Sequence, residues 1–314
     1  MKIPLLMVAI VSLASISFAQ RSRRETNLDS LLLSSLAPSL TDNLLIHKRV
    51  AEVSLVLSVT DQKGRFVRGL SSSDFAIFDN AKPQTTITFF QSETDLPLDV
   101  VLVLDTSASM GERFEAEQAT IAEFVHNVVR FEDSVKLLAF NTSIRAATSI
   151  HYNWRHVAGQ VKKLKPVGDT ALFDAVSTAA LQLQQNDRPA RRVIILISDG
   201  EENSSHTTLQ DAVALLLKTE AVVYAVNAGD DEDSLAGRQG ASNLRALADA
   251  TGGTYLQSTE SGDIHSAFSK IRKELRSQYA LAYKPTAFAA QSFHDLKVIA
   301  HNLRVRCRTG YYAK

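Results

Sequence analysis

The stretch LDVVLVL, residues 98 to 104, is a nearly continuous apolar run interrupted only by Asp99. A strand with one wet face alternates apolar and polar residues, so a run without alternation has to be covered on both sides. It is followed by RFEAEQATIAEFVHNVV, where Phe114, Ile121, Val125 and Val128 recur at roughly helical spacing. One strand, loop and helix unit is therefore expected here.

The alternation continues. SVKLLAF, RRVIILIS, AVVYAVNA and GTYLQ read as strands, and TALFDAVSTAALQLQ, TTLQDAVALLLKT, ASNLRALADAT and DIHSAFSKIRKELRSQY read as helices between or after them. Such a succession predicts an α/β fold, a doubly wound and mostly parallel sheet with helices on both faces. Residues 144 to 149 follow the turn at Asn141 and are expected as an antiparallel edge strand.

The flanks have a different period. VAEVSLVLSVT, RFVRGL and DFAIFDNAKPQTTITFF predict a small β-rich domain over 48–92, with strands on either side of the Asp-Asn-Ala-Lys-Pro turn. After the α/β domain, assigned to 97–278, YALAYKP, HDLKVIA and LRVRCR return to strand patterns over 279–314. The two β-rich ends are candidates to pack together as one smaller β domain.

The first residues, MKIPLLMVAIVSLASISFAQ, combine a lysine, an apolar run and small residues at Ser17 and Ala19. This pattern reads as an export signal over 1–19, which places the mature protein in the periplasm, outside the cell or at its surface. Residues 20–47 form an N-terminal extension whose leucines are interrupted by Ser and Pro. No later stretch has the ~20 apolar residues of a transmembrane segment.

Lys and Arg number 34 and Asp and Glu 34, so no global field favours nucleic acid or an anionic membrane. RSRRE and RRV lack the aromatic surface and basic balance of a nucleic-acid binder. Cys307 is the sole cysteine, which excludes an internal disulfide and reads as a partly buried strand residue. Function has to reside in a local site.

DTSASMG, directly after the first apolar strand, gathers Asp105, Ser107 and Ser109. Open parallel sheets bind ligands beyond the carboxyl ends of their strands, where oxygen donors at alternate turn positions can converge on a hard cation. Thr170 in VGDTALFDAV and Asp199 in IILISDGEEN bring the set to two carboxylates and three hydroxyls. Mg2+ suits such oxygens best, while Ca2+ and Mn2+ accept them too.

DTSAS, an isolated GDT and SDG after a hydrophobic strand resemble the metal-ion-dependent adhesion site of von Willebrand factor type A domains. The resemblance covers roughly 97 to 278, and VRGLSSSDFAIFDN, YALAYKP and GYYA outside it are similar to bacterial exported relatives of that family. It implies a doubly wound sheet with Asp105, Ser107, Ser109, Thr170 and Asp199 around a divalent ion. It further implies that an Asp or Glu carboxylate of a protein ligand completes the metal sphere, as in an adhesion module.

Each residue alone has a plainer role. Asp105 and Asp199 can cap helices, Ser107 and Ser109 can satisfy turn amides, and Thr170 can be an N-cap. Gly111 and Gly200 fit tight backbone paths, Asp169 and Asp174 fit capping or an outer shell, Glu201 and Glu202 a charged rim, and Met110 a seal under the turn. A scaffold stiffened by its metal, or assembled through β-rich edges, is the alternative reading.

Metal-assisted hydrolysis ranks below both, because no Ser-His-acid arrangement or second metal cluster is apparent. The sequence also lacks HExxH, GxGxxG and GxxxxGK[ST], and NAGDDEDSLAGRQG does not have EF-hand spacing. The chain is therefore read as a binding protein and not as an enzyme.

Overall fold

A computed structural model describes residues 52–92, 96–128, 130–150, 154–186, 189–229, 233–258, 263–286 and 292–313. All fall within a compact unit, Val50–Lys314, so the expected export signal and the 20–47 extension lie outside the described residues.

The chain begins with β1 (Val53–Thr60), β2 (Phe75–Asp79), β3 (Lys82–Gln84) and β4 (Ile87–Gln91). The α/β part follows with β5 (Leu98–Asp105), α1 (Gly111–Val128), β6 (Ser134–Phe140), β7 (Ile144–Ile150), α2 (Trp154–Val161) and α3 (Leu172–Gln184). It continues through β8 (Arg191–Ser198), α4 (Leu209–Thr219), β9 (Val222–Asn227), α5 (Leu235–Thr251), β10 (Thr254–Gln257) and α6 (Asp263–Leu275). The chain closes with β11 (Tyr279–Tyr283), β12 (Phe293–Ala300), β13 (Arg304–Arg306) and β14 (Gly310–Tyr312).

The central sheet runs β10-β9-β8-β5-β6-β7, parallel throughout except for the antiparallel edge pair β6 and β7. This is the doubly wound sheet that the uninterrupted apolar runs require. Alternate residues of β5 enter different cores: Leu98, Val100, Leu102 and Leu104 join Phe114, Phe268 and Ile271. Val101 and Val103 join Val176, Leu216 and Leu244 on the opposite face. Asp99 is buried within this strand, where its carboxylate accepts from the Ser134 hydroxyl and, at 2.9 Å, from Asn186 Nδ2.

The remaining strands form two antiparallel sheets, β13-β1-β11-β4 and β14-β12-β2-β3. Both sheets combine strands from the two ends of the chain: β1 lies between β11 and β13 in one, and β2 pairs with β12 in the other. Leu55, Leu57, Tyr279 and Tyr283 from one sheet share a core with Ile77, Val298 and Tyr311 from the other. Asp79 is the polar hub beneath that core, accepting from Tyr283 and Tyr311 hydroxyls at 2.8 Å and meeting His294 Nδ1 at 2.7 Å.

Two local expectations need correction. RFVRGL is not a strand; Phe66 makes only an isolated bridge to Thr60, because Gly64 and Gly69 take left-handed backbone on either side. The segment after β2 contains a further strand beyond the expected pair. Asn80 and Ala81 both have positive φ and close a two-residue hairpin onto β3, after which β4 leaves for the other sheet.

Glu274 joins the α/β part to the strands of the flanks. From the end of α6 its carboxylate accepts from Ser58 Oγ at 2.8 Å, Thr254 Oγ1 at 2.9 Å, Tyr224 at 3.3 Å, and Arg306 Nη2. Four elements thus converge on one buried carboxylate.

Candidate metal centre

The parallel sheet brings three loops to the carboxyl ends of β5, β6 and β8. Asp105 closes β5 and is fully buried; its Oδ1 accepts from the Ser107 N–H at 2.8 Å and its Oδ2 from Ser198 Oγ at 2.6 Å. The chain then turns through Ala108–Met110, which brings Ser107 Oγ and Ser109 Oγ to 3.0 Å of one another. Ser107 is buried and Ser109 exposed, while Met110 points into the core as the seal under the turn.

Thr170 is held from two sides. The Thr142 hydroxyl receives the Asp169 N–H at 2.9 Å, and Asn141 binds Val167 O through Nδ2 at 2.6 Å and the Ala171 N–H through its own carbonyl at 2.9 Å. From the third loop Asn203 Oδ1 accepts the Thr170 N–H at 2.8 Å, and the Asn203 N–H donates back to Thr170 O at 3.1 Å. The Ala108 N–H to Gly168 O bond, 2.9 Å, ties the first loop to the second. Thr170 is consequently buried, yet its side-chain hydroxyl forms no hydrogen bond among the described residues.

Asp199 follows β8. Its Oδ1 accepts from the Glu201 N–H at 2.9 Å, and its Oδ2 has no hydrogen-bond partner among the described residues. The Asp199–Gly200 turn is pressed against α5: a Cβ on Gly240 would meet Asp199 O at 2.3 Å, and one on Gly200 would meet Gly240 O at 2.2 Å. Gly200 also has φ of +80°, a left-handed conformation that glycine adopts without steric cost. Asn243 Nδ2 completes the clamp on Gly200 O at 3.0 Å.

Sequence reasoning missed several of these supports. Asn141, Asn203 and Ser198 are short polar residues at strand ends or in the loops that follow, a pattern that signals backbone capping. Gly240 and Asn243 carried no local signal, since their role arises from a helix packing across the turn. The outer residues also need sorting.

Glu202 is not a rim charge. It accepts from the Phe173 N–H at 3.0 Å, the Ser204 and Ser205 N–H groups at 3.0 and 2.7 Å, and Ser205 Oγ at 2.7 Å, so it neutralises the start of α3. Asp174 accepts from His206 and Thr207 N–H groups; burial opposes its ionisation, but these hydrogen bonds prevail and bring it to about 2. Asp169 is exposed.

Electrostatics supply the test of whether the donor set fits a cation. Burial, reinforced by the charge of Asp199, pushes the Asp105 carboxyl up to about 7 against the hydrogen bonds it accepts. Among the described residues no Lys or Arg forms an ion pair with Asp105 or Asp199. Two carboxylates thus interact in a desolvated junction without a counter-charge among the described residues, and the Thr170 hydroxyl of the adjoining loop is engaged by none of them. This donor set fits a hard divalent ion.

No group of three or more His, Cys, Asp or Glu suited to a metal occurs among the described residues, so the fit rests on hydroxyls together with two carboxylates. Residues 100–202 match the family model of the von Willebrand factor type A domain. The match begins in β5 and ends at Glu202, and so spans Asp105, Ser107, Ser109, Thr170 and Asp199.

Among curated proteins, the chain is 22% identical over 201 residues to the uncharacterized protein YwmC of Bacillus subtilis, covering 57% of this chain and 85% of that one. A mutant of the PilB minor pilin from Streptococcus sanguinis overlaps with a TM-score of 0.46 at 13% identity, over 59% of this chain and 62% of the pilin. BatB of Bacteroides thetaiotaomicron overlaps with a TM-score of 0.45 at 19% identity, over 57% of this chain and 97% of that one.

Neither Cys307 nor the described histidines join the candidate site. Cys307 is half-buried just beyond β13, and burial raises its thiol to about 11. His265 approaches Thr120, His206 approaches Asp174, and His294 is buried on Asp79, so the described histidines share no centre. Among the described residues no helix is long and apolar enough to cross a membrane.

Proposed function

We propose that the protein is an exported interaction module that binds a carboxylate of a protein ligand through a divalent cation held by Asp105, Ser107, Ser109, Thr170 and Asp199. The observation that carries this reading is the juxtaposition of Asp105 and Asp199 in a buried junction without a basic partner among the described residues. An A-type domain match over 100–202 points the same way, toward interaction or adhesion.

When bound, the ion supplies positive charge and coordination positions that an Asp or Glu of the ligand can fill. The chain's own residues do the rest. Ser198 and the Ser107 N–H orient Asp105, Asn141 and Asn203 fix the Thr170 loop, and α5 holds the turn that carries Asp199. Ser109 faces outward, where a partner approaches. Mg2+ is the preferred ion, with Ca2+ and Mn2+ as substitutes.

This reading assigns no catalytic step to Ser107 or Ser109, whose hydroxyls face each other and contact no general base among the described residues. Export rests on the pattern of residues 1–19. Calorimetric titration of Mg2+ into the protein and into D199A, with folding checked by circular dichroism, tests the metal. Saturable binding in the parent that is lost in a folded D199A supports the reading, and equal binding in both refutes it.

A further inference from the structure

At the amino ends of the central strands, a cavity of about 360 Å³ lies where α4, β8 and β9 meet β1. Arg191 opens β8 and Asp199 follows its end, so an eight-residue strand, roughly 25 Å of chain, separates this cavity from the A-type site. Val56, Pro189, Leu216 and Leu217 form apolar walls.

Three guanidinium groups line the same space, those of Arg191, Arg192 and Arg308, against one carboxylate, Glu220. Arg191 is only 6% exposed and among the described residues bonds neutral acceptors alone: Leu96 O twice, Leu275 O at 2.8 Å and Gln278 Oε1 at 2.7 Å. Arg308 is 9% exposed; Nη2 donates to Ser54 O at 2.8 Å, Nη1 is 3.6 Å from Glu220, and its buried Nε–H has no acceptor. Arg192 donates to Thr219 O at 2.9 Å.

Buried cations are ordinarily paired with anions, because neutral acceptors replace hydration only in part. Burial already lowers the Arg191 guanidinium to about 10. A cavity of this size, apolar on one side and under-neutralised on the other, has the build of a small-molecule site with a polar anchor.

We infer that this cavity binds a small amphiphilic carboxylate, its anionic head on Arg308 and Arg191 and its apolar body against Val56 and Leu216. The site is independent of the proposed metal centre. Charge-assisted bonds to guanidinium explain the head, and the apolar walls explain why a bare inorganic anion is insufficient.

The test uses octanoate, octan-1-ol and octylamine as probes, titrated calorimetrically into the protein in excess EDTA so that the metal centre does not contribute. Octanoate is expected to bind saturably, octan-1-ol at least tenfold more weakly, and octylamine not at all. R308Q should weaken octanoate by tenfold or more through loss of charge. V56W, which retains every charge and fills the cavity, should do the same through loss of space.

Circular dichroism establishes folding, and the probe comparison together with V56W decides the matter where R308Q fails to fold. Equal affinity for octanoate and octan-1-ol, undiminished octanoate binding in folded V56W, or no saturable octanoate binding at millimolar concentration overturns the inference.

Discussion

Asp105→Asn separates the electrostatic role of Asp105 from its shape. The folded carboxyl is raised from 3.8 to about 7, chiefly by burial and then by Asp199. Between those values the native state holds a proton that the unfolded chain has released, so stability without metal falls as pH rises through this window. Below pH ~4 the carboxyl is protonated in both states and the penalty vanishes; above pH ~7 it is complete, at about 4 kcal/mol from ~1.4 kcal/mol per pKa unit.

Asn is uncharged at every pH and retains an oxygen for the Ser107 N–H. Urea unfolding in EDTA at pH 5 and pH 8 should therefore show the stability of D105N relative to the parent rising by about 3 kcal/mol between the two conditions. Titrating groups that do not interact with Asp105 cancel in the difference, and its repulsion with Asp199 is already part of the Asp105 shift. Saturating Mg2+ should reverse the order at pH 8, since it stabilises only the protein that binds it. A difference that moves by less than ~1 kcal/mol between the two pH values, or equal stabilisation of both proteins by Mg2+, would refute the reasoning.

Gly240→Ala drives a methyl into the Asp199 carbonyl and should cost ~1–3 kcal/mol in thermal unfolding while weakening Mg2+ binding, whereas Gly159→Ala in α2, with open space around its Cβ, should be neutral or stabilising by up to ~1 kcal/mol. Glu202→Ala removes the acceptor of the Phe173, Ser204 and Ser205 donors and should lower stability by ~1–2 kcal/mol; an unchanged melting temperature would show that water replaces it fully. Glu274→Ala strands Arg306 and three hydroxyls at the junction of the α/β part with the flanking sheets. It should cost ~3–5 kcal/mol in urea unfolding, and a loss below ~1 kcal/mol would remove Glu274 as the joint.

Local period made the central sheet readable because two-sided burial leaves a direct mark on composition: Leu102 and Val103 are neighbours in sequence and belong to opposite cores. The same local reading failed at RFVRGL, whose alternation resembles a strand but whose flanking Gly64 and Gly69 turn the chain away after one bridge. It also missed the exchange of β4 into the other sheet, because pairing with β11 depends on residues nearly two hundred positions away.

At the candidate site the five oxygen donors were legible as a motif, and their supports were not. Glu201 and Glu202 show why, being adjacent and chemically alike. The Glu202 carboxylate is fully engaged by donors of α3 and its own loop. Among the described residues Glu201 meets no such donors, and its carboxyl is raised by burial and by the charge of Asp199. On the proposed reading, a carboxylate ligand would meet the charge of Glu201 and little of Glu202, so Glu201 is the acidic neighbour expected to oppose binding when no cation is present.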